Sequence, residues 1–195
     1  AAECVSHDVL VCINEHAPSW PKCSPEQSKS AEGPSGYEFG YYCNSEWTSA
    51  LNAMLLDAKV GKCHDKEAIG NLLAEVAWET AYFTALYQPR DGGAGLIHMI
   101  PSNWLPNTRD MDALWPGHGF TEQEATMGKK FFQDPAFGWK SVAAWYKRTN
   151  RVVHGCGVDL FDQPFDRQTE CIFGHKMDRS GARRIVQSCM AASGG

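Results

Sequence analysis

Eight cysteines, spread along the chain from Cys4 to Cys189, constrain the possible folds more than any other feature of this sequence. An even number of widely spaced cysteines is typical of disulfide-bonded proteins from an oxidising compartment. A zinc site is disfavoured, because the sequence contains no Cys-x-x-Cys pair. Eight cysteines allow about 105 sets of four bridges, so the pairing stays open. We expect a secreted, extracellular chain whose targeting segment was removed ahead of Ala1.

Length and charge narrow the function classes. A chain of 195 residues is of the size of one domain, and 43% hydrophobic residues suffice for one core. The net charge of -5 gives no basic surface for nucleic acid. An apolar run of about 18 residues, which a membrane span requires, is absent from the sequence. We expect a monomer that needs no metal or other cofactor.

The chain divides into three parts by composition. Residues 1–43 hold four cysteines and predict a disulfide-rich N-terminal lobe, with short strands around Val9, Val11 and Ile13 and at 37–42. Residues 44–190 predict a helical catalytic core, and 191–195 resemble a linker-like tail. All three parts are assigned to a single domain.

Periodicity and capping signals predict about six helices with little strand. Ser45, Asp65 and Asp162 are candidate N-caps, and Thr121-x-x-Glu124 is a capping box. The apolar faces are clearest for Leu51, Met54 and Leu55 in the first of these helices and for Ile69 to Phe83 in the second. The predicted helices cover about 45–61, 65–89, 121–133, 139–148, 165–173 and 179–190. The predicted class is mainly α (α+β), with the helices arranged around a central helix.

Glu79 is the candidate catalytic acid. On the second predicted helix it lies at the edge of the apolar face, between Leu72 and Phe83, while Trp78 points the opposite way. A half-buried carboxyl group has a raised pKa and keeps its proton near neutral pH, as a general acid for glycosidic cleavage requires. The alternative is a glutamate at the helix rim paired with a distant Lys or Arg.

Two local strings carry a resemblance to known enzymes. The segments Ala74-Glu75-Val76-Ala77-Trp78-Glu79-Thr80-Ala81-Tyr82-Phe83 and Gly95-Leu96-Ile97-His98-Met99-Ile100-Pro101-Ser102-Asn103-Trp104 resemble the catalytic core of bacterial lytic transglycosylases and goose-type lysozymes. The resemblance implies an α+β lysozyme-like fold around a central catalytic helix, with Glu79 as the catalytic glutamate of the lysozyme superfamily. Fungal secreted muramidases of that superfamily have similar disulfide-rich cores.

The same region also resembles family-19 chitinases. Trp78-Glu79-Thr80 is similar to their Glu-Thr pair, and the string from Phe137 to Tyr146 is similar to one of their helices. The two resemblances together cover roughly residues 45–190. His98 stands where both families usually have Gln, and the insertion that carries the chitinase base is absent.

A second carboxylate is needed to activate water or to stabilise an oxocarbenium-like transition state. Asp91, in the Gly-rich segment after the helix, is the candidate, although Asp-Gly is also a common turn pair. Glu75, one helical turn before Glu79, is the reserve. The predicted substrate-binding residues are Glu75, Tyr82, Tyr87, Gly95, His98 and Trp104.

These residues favour a muramidase that hydrolyses the β-1,4 bond between N-acetylmuramic acid and N-acetylglucosamine in peptidoglycan. The polysaccharide substrate is the expected partner. The alternatives are an endochitinase of the family-19 type, a lytic transglycosylase and a non-catalytic glycan-binding defence protein.

Overall fold

The computed structural model describes residues 3–17, 45–88, 90–121, 127–148 and 156–194. Within these ranges the protein is mainly helical, as predicted, with eight α-helices and one two-stranded sheet. Two more helices are present than the six predicted. The α-helices are α1 (His7–Asn14), α2 (Ser45–Leu56), α3 (Lys66–Glu79), α4 (Trp104–Leu114), α5 (Met127–Gln133), α6 (Pro135–Lys147), α7 (Phe165–Phe173) and α8 (Ser180–Ala192).

Helix α3 runs through the interior. Asp65 caps it as predicted, since its side chain accepts a hydrogen bond from the amide of Ala68 at 2.9 Å. Every residue from Ala68 to Ala77 is buried, and α7 and α8 pack against the helix. A helix that is buried on all sides can present a polar group only at its ends, and Glu79 is its last residue.

Helix α6 organises the other half of the core. Its N-cap Asp134 accepts from the amide of Phe137 at 3.1 Å, and α2, α4 and α5 pack around it. The indole of Trp139 is fully buried and donates to the carbonyl of Trp47 in α2 at 2.9 Å. This bond satisfies the polar atom of a large core side chain.

The predicted first strand is wrong. Residues His7–Asn14 form α1, in which Val9, Leu10 and Ile13 are buried on one face. Short apolar runs fit both a strand and a helix, and packing against α2 and α8 selects the helix here. The second predicted strand, at 37–42, lies outside the described residues.

Three disulfides are present among the described residues. They join Cys4 to Cys63, Cys12 to Cys189, and Cys156 to Cys171. The first two tie the N-terminal segment to the helical core, which is consistent with an oxidising environment. Cys23 and Cys43 lie outside the described residues.

Several helix limits differ from the predictions. Helix α7 has the predicted bounds, but its N-cap is Pro164, and Asp162 ends a short 3-10 helix (Leu160–Asp162). Helix α6 starts four residues earlier than predicted, and α5 begins at Met127, whereas Glu124 of the capping box lies outside the described residues.

In the described part of the chain, no helix combines the length and apolar character that crossing a bilayer demands.

Candidate active site

A cleft of about 330 Å³ contains three of the residues that the sequence singled out. Glu79 reaches it from the end of α3, and Asp91 and His98 reach it from the loop that follows. Its other described lining residues come from that loop and from α6 and α7: Ile97, Met99, Ile100, Asn103, Trp145, Ile172 and Phe173. Two carboxyl groups and an imidazole therefore share one open space.

The carboxyl group of Glu79 is largely withdrawn from water, with 13% of the side chain exposed. Burial raises its pKa above the usual value, although the nearby guanidinium of Arg179 works in the opposite direction. Nη2 of Arg179 donates to Oε1 of Glu79 at 2.6 Å. A carboxyl group with a raised pKa retains its proton at higher pH, which suits a general acid.

Helix α3 ends at Glu79 instead of continuing to about residue 89 as predicted. Three successive residues have positive φ angles, of 49°, 59° and 67° at Ala81, Tyr82 and Phe83. Such angles are unusual for residues other than glycine. The hydroxyl of Thr80 stabilises the turn by donating to the carbonyl of Val76 and accepting the amide of Phe83. Asn14 of α1 donates to the carbonyl of Tyr82 at 3.2 Å, so the N-terminal helix also supports this turn.

A buried ion-pair network lies behind Glu79. Arg179 is 1% exposed, and its Nη1 donates to Oε2 of the fully buried Glu75 at 2.8 Å. The hydroxyl of Thr169 donates to the other oxygen of Glu75. Burial raises the pKa of Glu75 to about 7, against the lowering effect of Arg179. Two carboxyl groups share one guanidinium, and burial therefore favours a state in which one of them is protonated.

Glu79 is paired with a distant arginine, as the alternative prediction for this residue allowed. The sequence did not identify that partner, Arg179. It lies 100 residues from Glu79 in the sequence, just ahead of α8, and carries no local signal of its role.

The same network accounts for the position of Glu75. This predicted substrate-binding residue is fully buried away from the cleft surface, so it can affect a ligand only through Arg179.

Asp91 and His98 form a pair across the loop. Nε2 of His98 lies 3.0 Å from Oδ2 of Asp91, and the amide of Gly93 donates to Oδ1 of Asp91 at 2.8 Å. Slight desolvation acts to raise the pKa of Asp91, but the hydrogen bonds from His98 and Gly93 outweigh it and the net pKa lies below the usual value. Asp91 is therefore an ionised carboxylate, and 45% of its side chain is exposed.

The local fold brings this pair together. Strands β1 (Tyr87–Gln88) and β2 (Gly93–Ala94) form an antiparallel hairpin, and Ala94 makes a further bridge with Met99. The tight turn between Ala94 and Met99 places His98, at a φ of 51°, against the backbone of Gly93. A Cβ atom at position 93 would overlap the His98 ring, so a larger residue there would require the imidazole to move.

The other predicted substrate-binding residues support the loop and are not among the described lining residues of the cleft. Tyr82 is half-buried against the core, and Tyr87 packs on Phe132 with ring centroids 5.1 Å apart. The indole of Trp104 donates to the carbonyl of Met99 at 2.7 Å. Gly95, at a φ of 85°, donates its amide to the carbonyl of Leu86.

An exposed aromatic ring at the cleft comes instead from α7. Phe173 lines the cleft and is 44% exposed, and the exposed Trp78 lies nearby, since the Arg179 guanidinium is within 6 Å of both ring centroids. Exposed aromatic faces are suited to stacking on sugar rings. Neither residue was predicted as a subsite. Asn103 also lines the cleft.

One grouping of possible metal ligands occurs in the described ranges, away from the cleft. The ligand atoms of Cys12, His16 and Cys189 lie within 4.8 Å of one another. The two sulfur atoms are joined as a disulfide and offer no thiolate to a metal ion.

Comparison with known proteins adds no relative, because no family model, curated protein or solved structure matches this chain.

Proposed function

We propose that this protein is a muramidase, which hydrolyses the β-1,4 bond between N-acetylmuramic acid and N-acetylglucosamine in bacterial peptidoglycan. The observation that carries the proposal is a desolvated carboxyl group, that of Glu79, in a cleft that also holds the ionised Asp91. Most glycoside hydrolases combine one protonated and one ionised carboxyl group.

In this proposal Glu79 is the general acid. Its Oε1 is held by Arg179, and Oε2 has no hydrogen-bond partner in the described part of the chain. Oε2 can therefore protonate the oxygen of the leaving sugar. Asp91 is the ionised group of the cleft that supports the attack of water on the anomeric carbon.

The buried network sets the protonation of the acid. When Glu75 is ionised, it neutralises Arg179, and less positive charge is left to favour an ionised Glu79. Glu75 and Arg179 are therefore positioning residues that tune Glu79 without touching the glycan.

The loop supports peptidoglycan as the substrate. The string from Gly95 to Pro101 resembles enzymes that cleave peptidoglycan, and four of its residues, Ile97 to Ile100, line the cleft. Chitin is the second candidate, because Trp78-Glu79-Thr80 resembles the corresponding string of family-19 chitinases.

We also propose that the protein acts outside the cell. Three disulfides among the described residues support an oxidising compartment, and peptidoglycan and chitin are both wall polymers.

A digest of peptidoglycan and of chitin oligomers, analysed by mass spectrometry, tests the proposal. We expect soluble fragments with reducing muramic acid ends from peptidoglycan, and none from the Glu79→Gln variant. 1,6-Anhydro ends would indicate a transglycosylase, and chitobiose alone would indicate a chitinase. Binding to both polymers without any product would leave a non-catalytic glycan-binding protein and overturn the proposal.

A further inference from the structure

The two oxygen atoms of Asp91 are already engaged. Oδ1 accepts the amide of Gly93, and Oδ2 faces Nε2 of His98. These bonds hold the pKa of Asp91 below its usual value, and a carboxylate with a low pKa is a weak proton acceptor. Asp91 is therefore poorly suited to remove a proton from water by itself.

The imidazole of His98 offers a ring nitrogen that can accept a proton from water. With Nε2 directed at Asp91, its other nitrogen, Nδ1, has no hydrogen-bond partner within the described ranges. The side chain is 24% exposed and lines the cleft with Glu79. When His98 is charged it lowers the pKa of Glu79, which places it within electrostatic reach of the acid.

We propose that His98 is the general base that activates water in this cleft, and that Asp91 is a positioning residue that holds the imidazole. The inference rests on the proposed glycoside hydrolysis and deepens it. In the two families that this chain resembles, the position of His98 is usually a glutamine, which cannot act as a base. The proposed dyad is therefore a property of this chain.

Hydrolysis then couples two proton transfers, one at His98 and one at Glu79. Nδ1 of His98 takes a proton from water while the water oxygen bonds to the anomeric carbon. The bond from that carbon to the bridging oxygen breaks, and the bridging oxygen takes the proton of Glu79. Asp91 accepts the Nε2 hydrogen and stabilises the imidazolium that forms. That positive charge also favours loss of the Glu79 proton, so the two transfers assist each other. Solvent then returns His98 and Glu79 to their starting states.

The glutamine substitution separates the two possible bases. His98→Gln retains an amide that can donate to Asp91 but has no basic nitrogen. We expect it to fold and to lose about 10²- to 10⁴-fold in kcat on the glycan that wild type cleaves, the usual range for a general base. The control His64→Gln, at an exposed turn position, should retain wild-type activity. His98→Gln activity within a few-fold of wild type, with an inactive Asp91→Ala, would make Asp91 the base and overturn the inference.

Added imidazole tests for a missing base. The His98→Ala variant should regain turnover when imidazoles are added, and the rate should rise with the basicity of the imidazole. A purely structural role of His98 would not produce this dependence on basicity. Because Asp91 acts through His98, the double variant Asp91→Ala/His98→Ala should be no slower than His98→Ala alone. A double variant that is at least tenfold slower would show an independent role for Asp91 and contradict the dyad.

A measurement on the wild-type protein covers the case of variants that fail to fold. Diethylpyrocarbonate should abolish turnover to the same extent as it modifies the peptide that contains His98. A bound oligosaccharide should protect His98 from modification, and hydroxylamine should restore both the unmodified His98 and the turnover. Activity that survives complete modification of His98 would refute the inference. Failure of the wild type to release any reducing ends would instead refute the proposed function, so the two failures are distinguishable.

Discussion

Glu79 and Glu75 lie one helical turn apart, yet their surroundings give them different roles. Glu79 keeps a partly exposed carboxyl group at the end of α3, whereas Glu75 is enclosed with Arg179 and Thr169. The acid and the group that tunes it therefore occupy the same helix and are coupled by one guanidinium.

The first prediction concerns Glu79→Gln. The amide keeps the shape and can still accept from Arg179, but it cannot donate an acidic proton, so we expect normal folding with a loss of turnover of about a hundredfold or more. Circular dichroism and reducing-end assays measure the two effects. Glu67→Gln, an exposed position on the first turn of the same helix, is the control and should remain active. Near-normal turnover by Glu79→Gln would exclude Glu79 from the mechanism.

The second prediction concerns pH and Glu75. Its pKa rises from 4.5 in the unfolded chain to about 7 in the folded protein, so the folded state binds the proton more tightly between these values. The free energy of unfolding should therefore fall as pH rises from about 4.5 to about 7, by roughly 3 kcal/mol from this group. Urea denaturation of wild type and Glu75→Gln across this range measures the effect. The variant should show a flatter profile, and an equally steep profile would mean that folding does not raise the pKa of Glu75.

At the scale of elements, the left-handed turn after α3 decides where the acid sits. Ala81 has a φ of 49°, which costs an L-residue more than glycine. We expect Ala81→Gly to raise the free energy of unfolding by about 0.5–1 kcal/mol, net of the greater freedom that glycine gives the unfolded chain. Chemical denaturation measures the change.

A matched control comes from a right-handed helix. Ala53 is exposed within α2, and Ala53→Gly should lower the free energy of unfolding by about 1 kcal/mol. Changes of the same sign in the two variants would contradict a left-handed turn at Ala81.

At the scale of the whole molecule, the disulfides close loops of very different length. The Cys12–Cys189 bridge spans 177 residues, and the Cys156–Cys171 bridge spans 15. The loop-entropy model assigns about 5 kcal/mol to the long loop and about 3 kcal/mol to the short one. Paired Cys→Ser variants, compared by urea denaturation, should show the larger loss for the long loop. A larger loss for Cys156 and Cys171 would indicate that contacts around the bridges, rather than chain entropy, set their contribution.

The sequence alone determined features that depend on local chemistry. Asp65 is predicted as a cap because a carboxylate one residue ahead of an apolar helix satisfies free amides, and the apolar face of α3 follows from its 3.6-residue period. The use of disulfides followed from the number and spacing of the cysteines. The bounds of α7 were also predicted, although Asp162, the expected cap, lies in the preceding 3-10 helix.

Only the tertiary structure decided what depends on residues that are distant in the sequence. The strand assigned to Val9, Val11 and Ile13 is a helix because α2 and α8 cover one face of it. The end of α3 at Glu79 is fixed by a strained turn that Thr80 and a side chain from α1 hold in place. Arg179 contacts Glu79 although 100 residues separate them in the sequence. No local pattern encodes such a contact, because the energy of a buried charge depends on the partners that the whole fold brings to it.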